Sequence, residues 1–185
     1  MEGDSVIVED DQRVQLAVYA VRLGADLERV CRYLGWDEFE DFSSSAFKAH
    51  GFSVKKHFRF KGFHRRWEVD ILGFNKPYVL SVDCKHWHKG WSKSSIERMV
   101  MSQIERTEAL MRASRLLRGE LDMTEWKKAT FIPVILSLVP APFKLYRETP
   151  IVPVLQIRNF LNEIIANADS LTHFSTKFDP SIDDY

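Results

Sequence analysis

The sequence lacks most of the features that would assign it quickly. It has two cysteines in 185 residues, Cys31 and Cys84. That is too few for a disulfide framework, so a reducing cytoplasm is the expected setting. No stretch reaches the roughly 18 apolar residues of a membrane span, and no membrane partner is expected. The first residues, MEGDSVIVEDD, are acidic and have neither the basic start nor the apolar stretch of a signal peptide. There is no internal repeat and no low-complexity segment. Net charge is also missing, with 26 basic and 26 acidic residues. A uniformly basic nucleic-acid binder is therefore excluded, but a local patch is not.

Such a patch is present. From Phe42 to Trp67 the chain carries seven Lys or Arg residues and no Asp or Glu. They are Lys48, Lys55, Lys56, Arg59, Lys61, Arg65 and Arg66, and acidic residues gather instead toward the two ends. Two readings stand on charge alone: a phosphate-binding face, or a solvated strand face.

With 45% hydrophobic and 12% aromatic residues, the chain can bury one core and carry a small helical appendage. Three units are expected: a helical extension over 1–35, a core over 36–175 and a loose tail over 176–185, with residues 1–10 loose as well. Val14, Ala17, Val18 and Val21 recur at helical spacing from Gln12 to Leu23, and Gly24 stops the run. Asp26 can cap a second short helix bearing Leu27, Val30, Cys31 and Leu34 and ended by Gly35. The two helices fit half of a helix-turn-helix or a plain packing pair. A third helix is predicted from Asp37 to His50, with Phe39, Phe42, Ser43, Ala46 and Phe47 as its buried stripe and Gly51 past its end.

The period then changes to two. Phe52, Val54, Phe58 and Phe60 alternate with polar residues, and strands follow at 66–74 and 78–85. Ser94 or Ser95 can cap a long helix running to about Leu117. Residues 129–139 read as a strand covered on both faces, with Pro133 suggesting an edge or a bulge. A short strand at 151–155 and a closing helix through Ile157, Phe160, Leu161, Ile164 and Ile165 complete the order α-β-β-β-α-β-β-α. The expected class is α/β, a mixed sheet flanked by helices.

The chemistry concentrates in WEVDIL, residues 67–72, and LSVDCKHW, residues 80–87. Strand alternation puts Glu68 and Asp70 on one face, opposite Trp67, Val69 and Ile71. It likewise puts Asp83 and Lys85 opposite Val82 and Cys84. If the strands are neighbours, Asp70 and Asp83 can converge. Two close carboxylates repel unless a positive charge lies between them, and a hard divalent cation with oxygen ligands meets that need. Lys85 would point to the same spot, placed to orient an attacking water and to neutralise charge on a transferring phosphate. The competing reading is a cross-strand Asp70–Lys85 ion pair, worth roughly 0–1 kcal/mol at a surface.

These residues resemble the PD-(D/E)xK nuclease superfamily, and within it the Mrr-type restriction endonucleases and archaeal Holliday-junction resolvases. The resemblance runs from about Trp36 to Ala168. WDEFEDFSSSAFKAHGFSV is similar to the family's first helix and following strand, WEVDIL to the segment with the metal-binding Asp, and LSVDCKHW to the acidic-x-Lys segment. Val69 stands where the family often has Pro, and Asp83 where it often has Glu. The resemblance implies a restriction-endonuclease-like core and an Mg²⁺-dependent deoxyribonuclease, with Mn²⁺ able to substitute. Asp70 and Asp83 would be metal ligands, with the Cys84 carbonyl and Glu40 completing the shell, and Lys85 would be the catalytic lysine. Gln103 would match a Gln carried near the active-site lysine by several members; a buried Gln satisfied by backbone is the alternative.

Glu40 also has a rival role, because Asp37-x-x-Glu40 fits a capping box, with Glu38 as the fallback acid. The alternating Cys84, His86 and His88 lack a clear fourth zinc ligand. DNA is the expected partner, held through Lys55, Lys56, Arg59, Lys61, Arg65, Arg66 and Lys89. Trp87, His88, Lys89, Trp91 and Lys93 are expected in a loop at the mouth of the site, with ordinary packing as the alternative. Cutting both strands of a duplex needs two sites, so a homodimer is a further expectation. A junction resolvase and a non-catalytic binding subunit are the alternatives.

Overall fold

The computed structural model describes residues 10–26, 29–30, 33, 35–85, 92–138 and 140–178. Helix α1 (Asp10–Arg22) and helix α2 (Trp36–Ala49) precede a meander of β1 (Ser53–Gly62), β2 (Arg65–Asn75) and β3 (Tyr78–Lys85). The long helix α3 (Lys93–Ala113) crosses to β4 (Lys128–Ser137). Strands β5 (Leu145–Tyr146) and β6 (Thr149–Pro153), helix α4 (Ile157–Glu163) and β7 (Phe174–Lys177) finish the chain.

The sheet has seven strands in the order β1-β2-β3-β4-β6-β5, with β7 also paired to β4. The first three strands are antiparallel, β3–β4 and β4–β6 are parallel, and β7 runs antiparallel to β4. The molecule is thus an α/β structure with a mixed sheet between helices, as the sequence predicts. Two strands exceed the predicted order, β5 and β7. The tail expected from residue 176 is corrected: residues 176–177 belong to β7, and Phe178 is 7% exposed in the core. Residues 179–185, and residues 1–9, lie outside the described residues.

Buried clusters form on both faces, a large one on each and a smaller third around Ile96, Val100, Ile135 and Ile151. Val14, Phe39, Phe47, Phe52, Ile71, Leu80, Val82 and Leu136 bury together beneath α1, α2 and α4. Val69, Leu72, Phe74, Leu110, Met123 and Phe131 bury beneath α3 on the other side. Val14 joins the first core and Arg13 pairs with Glu38 at 3.0 Å, so α1 is packed onto α2. The predicted second short helix is described only in part. Its cap is present, with Asp26 Oδ1 accepting from the Arg29 N–H at 2.7 Å, while Leu27, Cys31 and Leu34 lie outside the described residues.

Local chemistry explains the boundaries. Ser92, not Ser94 or Ser95, caps α3, its hydroxyl accepting from the Ser95 N–H at 3.2 Å. Gly51, past the end of α2, takes φ +79°, a conformation side chains resist. A Cβ on Gly73 would lie 2.5 Å from the Phe47 ring, so glycine there lets α2 seat on the sheet. Pro133 sits inside a central strand, against the edge or bulge expected. Thr130 and Leu138 donate their N–H groups to Pro77 and Lys85, so even-numbered residues of β4 face β3. The N side of Pro133 therefore faces the other edge, where β7 pairs only up to Phe131 and β6 only from Ile135. The missing N–H falls in that gap.

One expectation about faces fails. Phe52 and Val54 belong with the α2 side, while Phe58 and Phe60 belong with the α3 side. Opposite them Val69 lies on the α3 side and Ile71 on the α2 side. Both strands reverse their alternation at the His57–Asp70 level, where His57 has φ +50° and the ladder steps from Lys56↔Ile71 to Phe58↔Val69. Period-two counting cannot foresee such a reversal, because it assumes an unbroken pleat. Among the described residues no helix is long and apolar enough to cross a membrane.

Candidate metal centre

The β2–β3 ladder ends at Ile71↔Val82, and beyond that pair the two strands part. The Cys84 N–H, with no β2 backbone opposite it, donates to Asp70 Oδ2 at 2.7 Å. In a strand the N–H and C=O of one residue face the same neighbour, so the Cys84 carbonyl faces this opening as well. Asp70 therefore stands in a fork of the sheet, turned there by the reversal at His57.

Helix α2 brings Glu40 to the same place. The helix begins one residue earlier than predicted, at Trp36, which shifts the capping role. Glu38 reaches back to the Gly35 N–H, so the predicted Asp37–Glu40 capping box does not form. Glu40 is left free to point inward and is 1% exposed. Trp36 Nε1 donates to its Oε1 at 2.5 Å, and His57 Nε2 lies 3.2 Å from its Oε2. That Oε2 is buried with no aligned hydrogen bond. A carboxylate oxygen of Glu40, one of Asp70 and the Cys84 Sγ lie within 4.8 Å of one another.

Asp83 approaches from the other side of β3. It is 4% exposed, and both its oxygens are engaged: Lys85 Nζ lies 2.7 Å from Oδ2 and Arg106 Nη1 2.6 Å from Oδ1. Lys85 thus pairs with Asp83 of its own strand, not with Asp70 across the fork. Gln103 is buried behind, donating to the Ser81 carbonyl at 2.6 Å and accepting from Arg106 at 2.8 Å. It does not reach the fork, and the alternative of a backbone-satisfied Gln describes it. Asp70, Asp83, Cys84 and Lys85 line one open cleft of about 540 Å³, shared with Arg65, Arg66, Glu68 and Arg106.

Burial first, and neighbouring charge second, account for the titration behaviour. Burial pushes the Asp70 carboxyl from its ordinary 3.8 up to about 6; Asp83 and Glu40 push the same way, and the Cys84 N–H and Arg106 offset only part. Burial, reinforced by Asp70, Glu40 and Asp83, pushes the Cys84 thiol well above its usual range. The thiol could serve as a ligand only by losing its proton to a metal, whereas the Cys84 carbonyl offers an oxygen without that cost. Two converging carboxylates, with a backbone carbonyl in the opening, fit a hard divalent cation.

The basic residues divide. Arg65, which also pairs with Glu105 at 3.2 Å, and Arg66 reach the cleft, and Lys61 joins them in a neighbouring hollow. Lys55 pairs with Asp122 at 2.7 Å, Lys56 with Asp41 at 2.6 Å, and Arg59 with Glu68 at 2.9 Å, which holds the Glu68 carboxyl below its usual range. Lys89 and the run from His86 to Trp91 lie outside the described residues. Trp36, His57 and Arg106 were not foreseen. Helical spacing could have found two of them, since Trp36 precedes Glu40 by four residues and Arg106 follows Gln103 by three.

Fold and site together define an α/β protein with a mixed seven-stranded sheet and an acidic cluster in the fork between two of its strands. No family model matches the chain. It belongs to the same family as an uncharacterized protein of Archaeoglobus fulgidus, with 31% identity over 129 residues, 70% of this chain and 91% of that protein. A crystal structure of a protein of unknown function is similar at a TM-score of 0.36 and 13% identity, over 54% of this chain and 46% of that one, a likeness too weak to define a shared fold.

Proposed function

We propose that this protein is a divalent-cation-dependent nuclease of the PD-(D/E)xK kind, hydrolysing phosphodiester bonds of DNA. The observation that carries the reading is the meeting of Asp70, Asp83 and Lys85, from two adjacent strands, in one cleft, with Glu40 added from α2. Mg²⁺ or Mn²⁺, when bound, supplies Lewis acidity toward the phosphate and toward water. Asp70 and Glu40 hold the cation, with the Cys84 carbonyl beside them. Asp83, at the opposite lip, fixes the Lys85 ammonium at 2.7 Å and can join the cation's ligands when one binds. Lys85 orients the attacking water and meets the charge that grows on the phosphate. Arg65 and Arg66 hold flanking phosphates and set the register of the strand.

The test is cleavage of linear duplex, single strands, flaps and four-way junctions in Mg²⁺ or Mn²⁺. Lys85→Ala is expected to keep the fold and DNA affinity while losing cation-dependent cutting. Undiminished cutting by that variant rejects the role given to Lys85. A second reading, DNA binding without cleavage, is favoured by the full engagement of Asp83 with two cations. DNA affinity with no cutting of any of these substrates would select it.

A further inference from the structure

Arg106 is buried against the site and spends its charge on one residue. Its side chain is 17% exposed, and its Nη1 donates to Asp83 Oδ1 at 2.6 Å and to Gln103 Oε1 at 2.8 Å. Gln103 is tied in turn to the Ser81 carbonyl and hydroxyl at 2.6 and 3.3 Å. A chain of contacts from β3 through α3 therefore returns to β3 and presses a guanidinium onto Asp83. Lys85 takes the other oxygen at 2.7 Å. An Asp whose two oxygens are both held by cations has little left to offer a metal. Arg106 Nε, meanwhile, is buried without an acceptor. A charged donor left unsatisfied in a low-dielectric place gains from any oxyanion that reaches it.

We infer that Arg106 is a positioning residue that competes with the divalent cation for Asp83 and gives it up when a phosphate oxyanion arrives to take the guanidinium. The inference rests on the nuclease reading and names what that reading leaves out, the order in which charges are exchanged. With the cleft empty, Arg106 and Lys85 neutralise Asp83. When cation and phosphodiester come together, Asp83 turns to the cation and the guanidinium to the phosphate. Each ligand then strengthens the other, and the cation alone binds weakly.

The test is calorimetric titration of the full chain with Mn²⁺, without DNA. Arg106→Gln is expected to bind Mn²⁺ about tenfold tighter than wild type, because Asp83 loses a competitor. Arg66→Gln removes the same charge from the same cleft without touching Asp83 and is expected to tighten binding far less. Arg106→Lys keeps the charge as a more strongly hydrated ammonium without the planar guanidinium, holds Asp83 less firmly, and falls between wild type and Arg106→Gln. It carries the test if Arg106→Gln does not fold. A merely structural Arg106 would weaken Mn²⁺ binding when replaced, the opposite sign. Equal or weaker binding by both Arg106 variants overturns the inference alone, as does an equal gain from Arg66→Gln. No Mn²⁺ binding by any of the proteins overturns the metal site and the inference with it.

Discussion

The two sides of β3 carry carboxylates in opposite states. On the α2 side Glu40 and the half-buried Asp70 converge, with the Asp70 carboxyl pushed up to about 6 by burial. On the α3 side Asp83 is more buried than Asp70 but has a cation on each oxygen. Burial alone therefore does not decide how a carboxylate behaves; the count of opposite charges within reach does. A deficit of positive charge on one side of a strand, faced by a surplus on the other, is an arrangement into which a divalent cation and a phosphate can be exchanged.

The largest effect should come from removing the deficit. Asp70→Asn is expected to abolish cation-dependent cleavage and to weaken Mn²⁺ binding strongly, as read by calorimetry. The same change should stabilise the cation-free protein. Asp70 binds its proton more tightly folded than unfolded, so its contribution is fully present below about pH 4 and is lost as pH rises through about 6. The loss amounts to at most about 3 kcal/mol at neutral pH. Denaturant melts of wild type across this window should fall with rising pH more than those of Asp70→Asn, and a parallel pair of curves would show that Asp70 is not the group responsible.

A smaller effect is expected from unseating the α2 side alone. Gly73→Ala places a Cβ 2.5 Å from the Phe47 ring, which belongs to a packed core and has little room to withdraw. A loss of about 1–3 kcal/mol is expected in denaturant melts. Mn²⁺ binding should weaken too, since Glu40 rides on the same helix. Retained Mn²⁺ affinity in this variant would mean that Glu40 does not contribute to the site.

The smallest effects concern the basic residues. Arg66→Ala is expected to lower DNA affinity uniformly across sequences and to reduce the salt dependence by about one phosphate contact. Lys55→Ala and Lys56→Ala, whose partners Asp122 and Asp41 already take their charges, should change affinity little. Equal losses from all three would show that these surface pairs open in the presence of DNA.

Much of this was legible in the chain. Local spacing gave α2, β1 to β3, the long α3 and the closing α4, because capping residues and apolar periods act over a few residues. It also singled out Asp70, Asp83 and Lys85 as candidates, because two adjacent strands with charged groups out of pattern stand out from a half-buried background. It could not give β7, a short polar strand that forms only because β4 offers it an edge. Nor could it give Arg106, which is one of several arginines on α3 until the crossover from β3 lays that helix over Asp83. The cap of α2 lies two residues before the expected one, at Gly35 with Glu38 rather than at Asp37 with Glu40. That step decided whether Glu38 or Glu40 was free for the site.

The sequence by itself determined the α/β class, the strands that bear the two aspartates and the lysine beside the second. Only the tertiary structure decided which of those groups meet, since the reversal at His57 and the parting of β2 from β3 depend on contacts between segments far apart in the chain. The physical reason is range. Propensity and periodicity act over a few residues, whereas a buried charge takes its state from whichever neighbour the fold brings within a few ångströms.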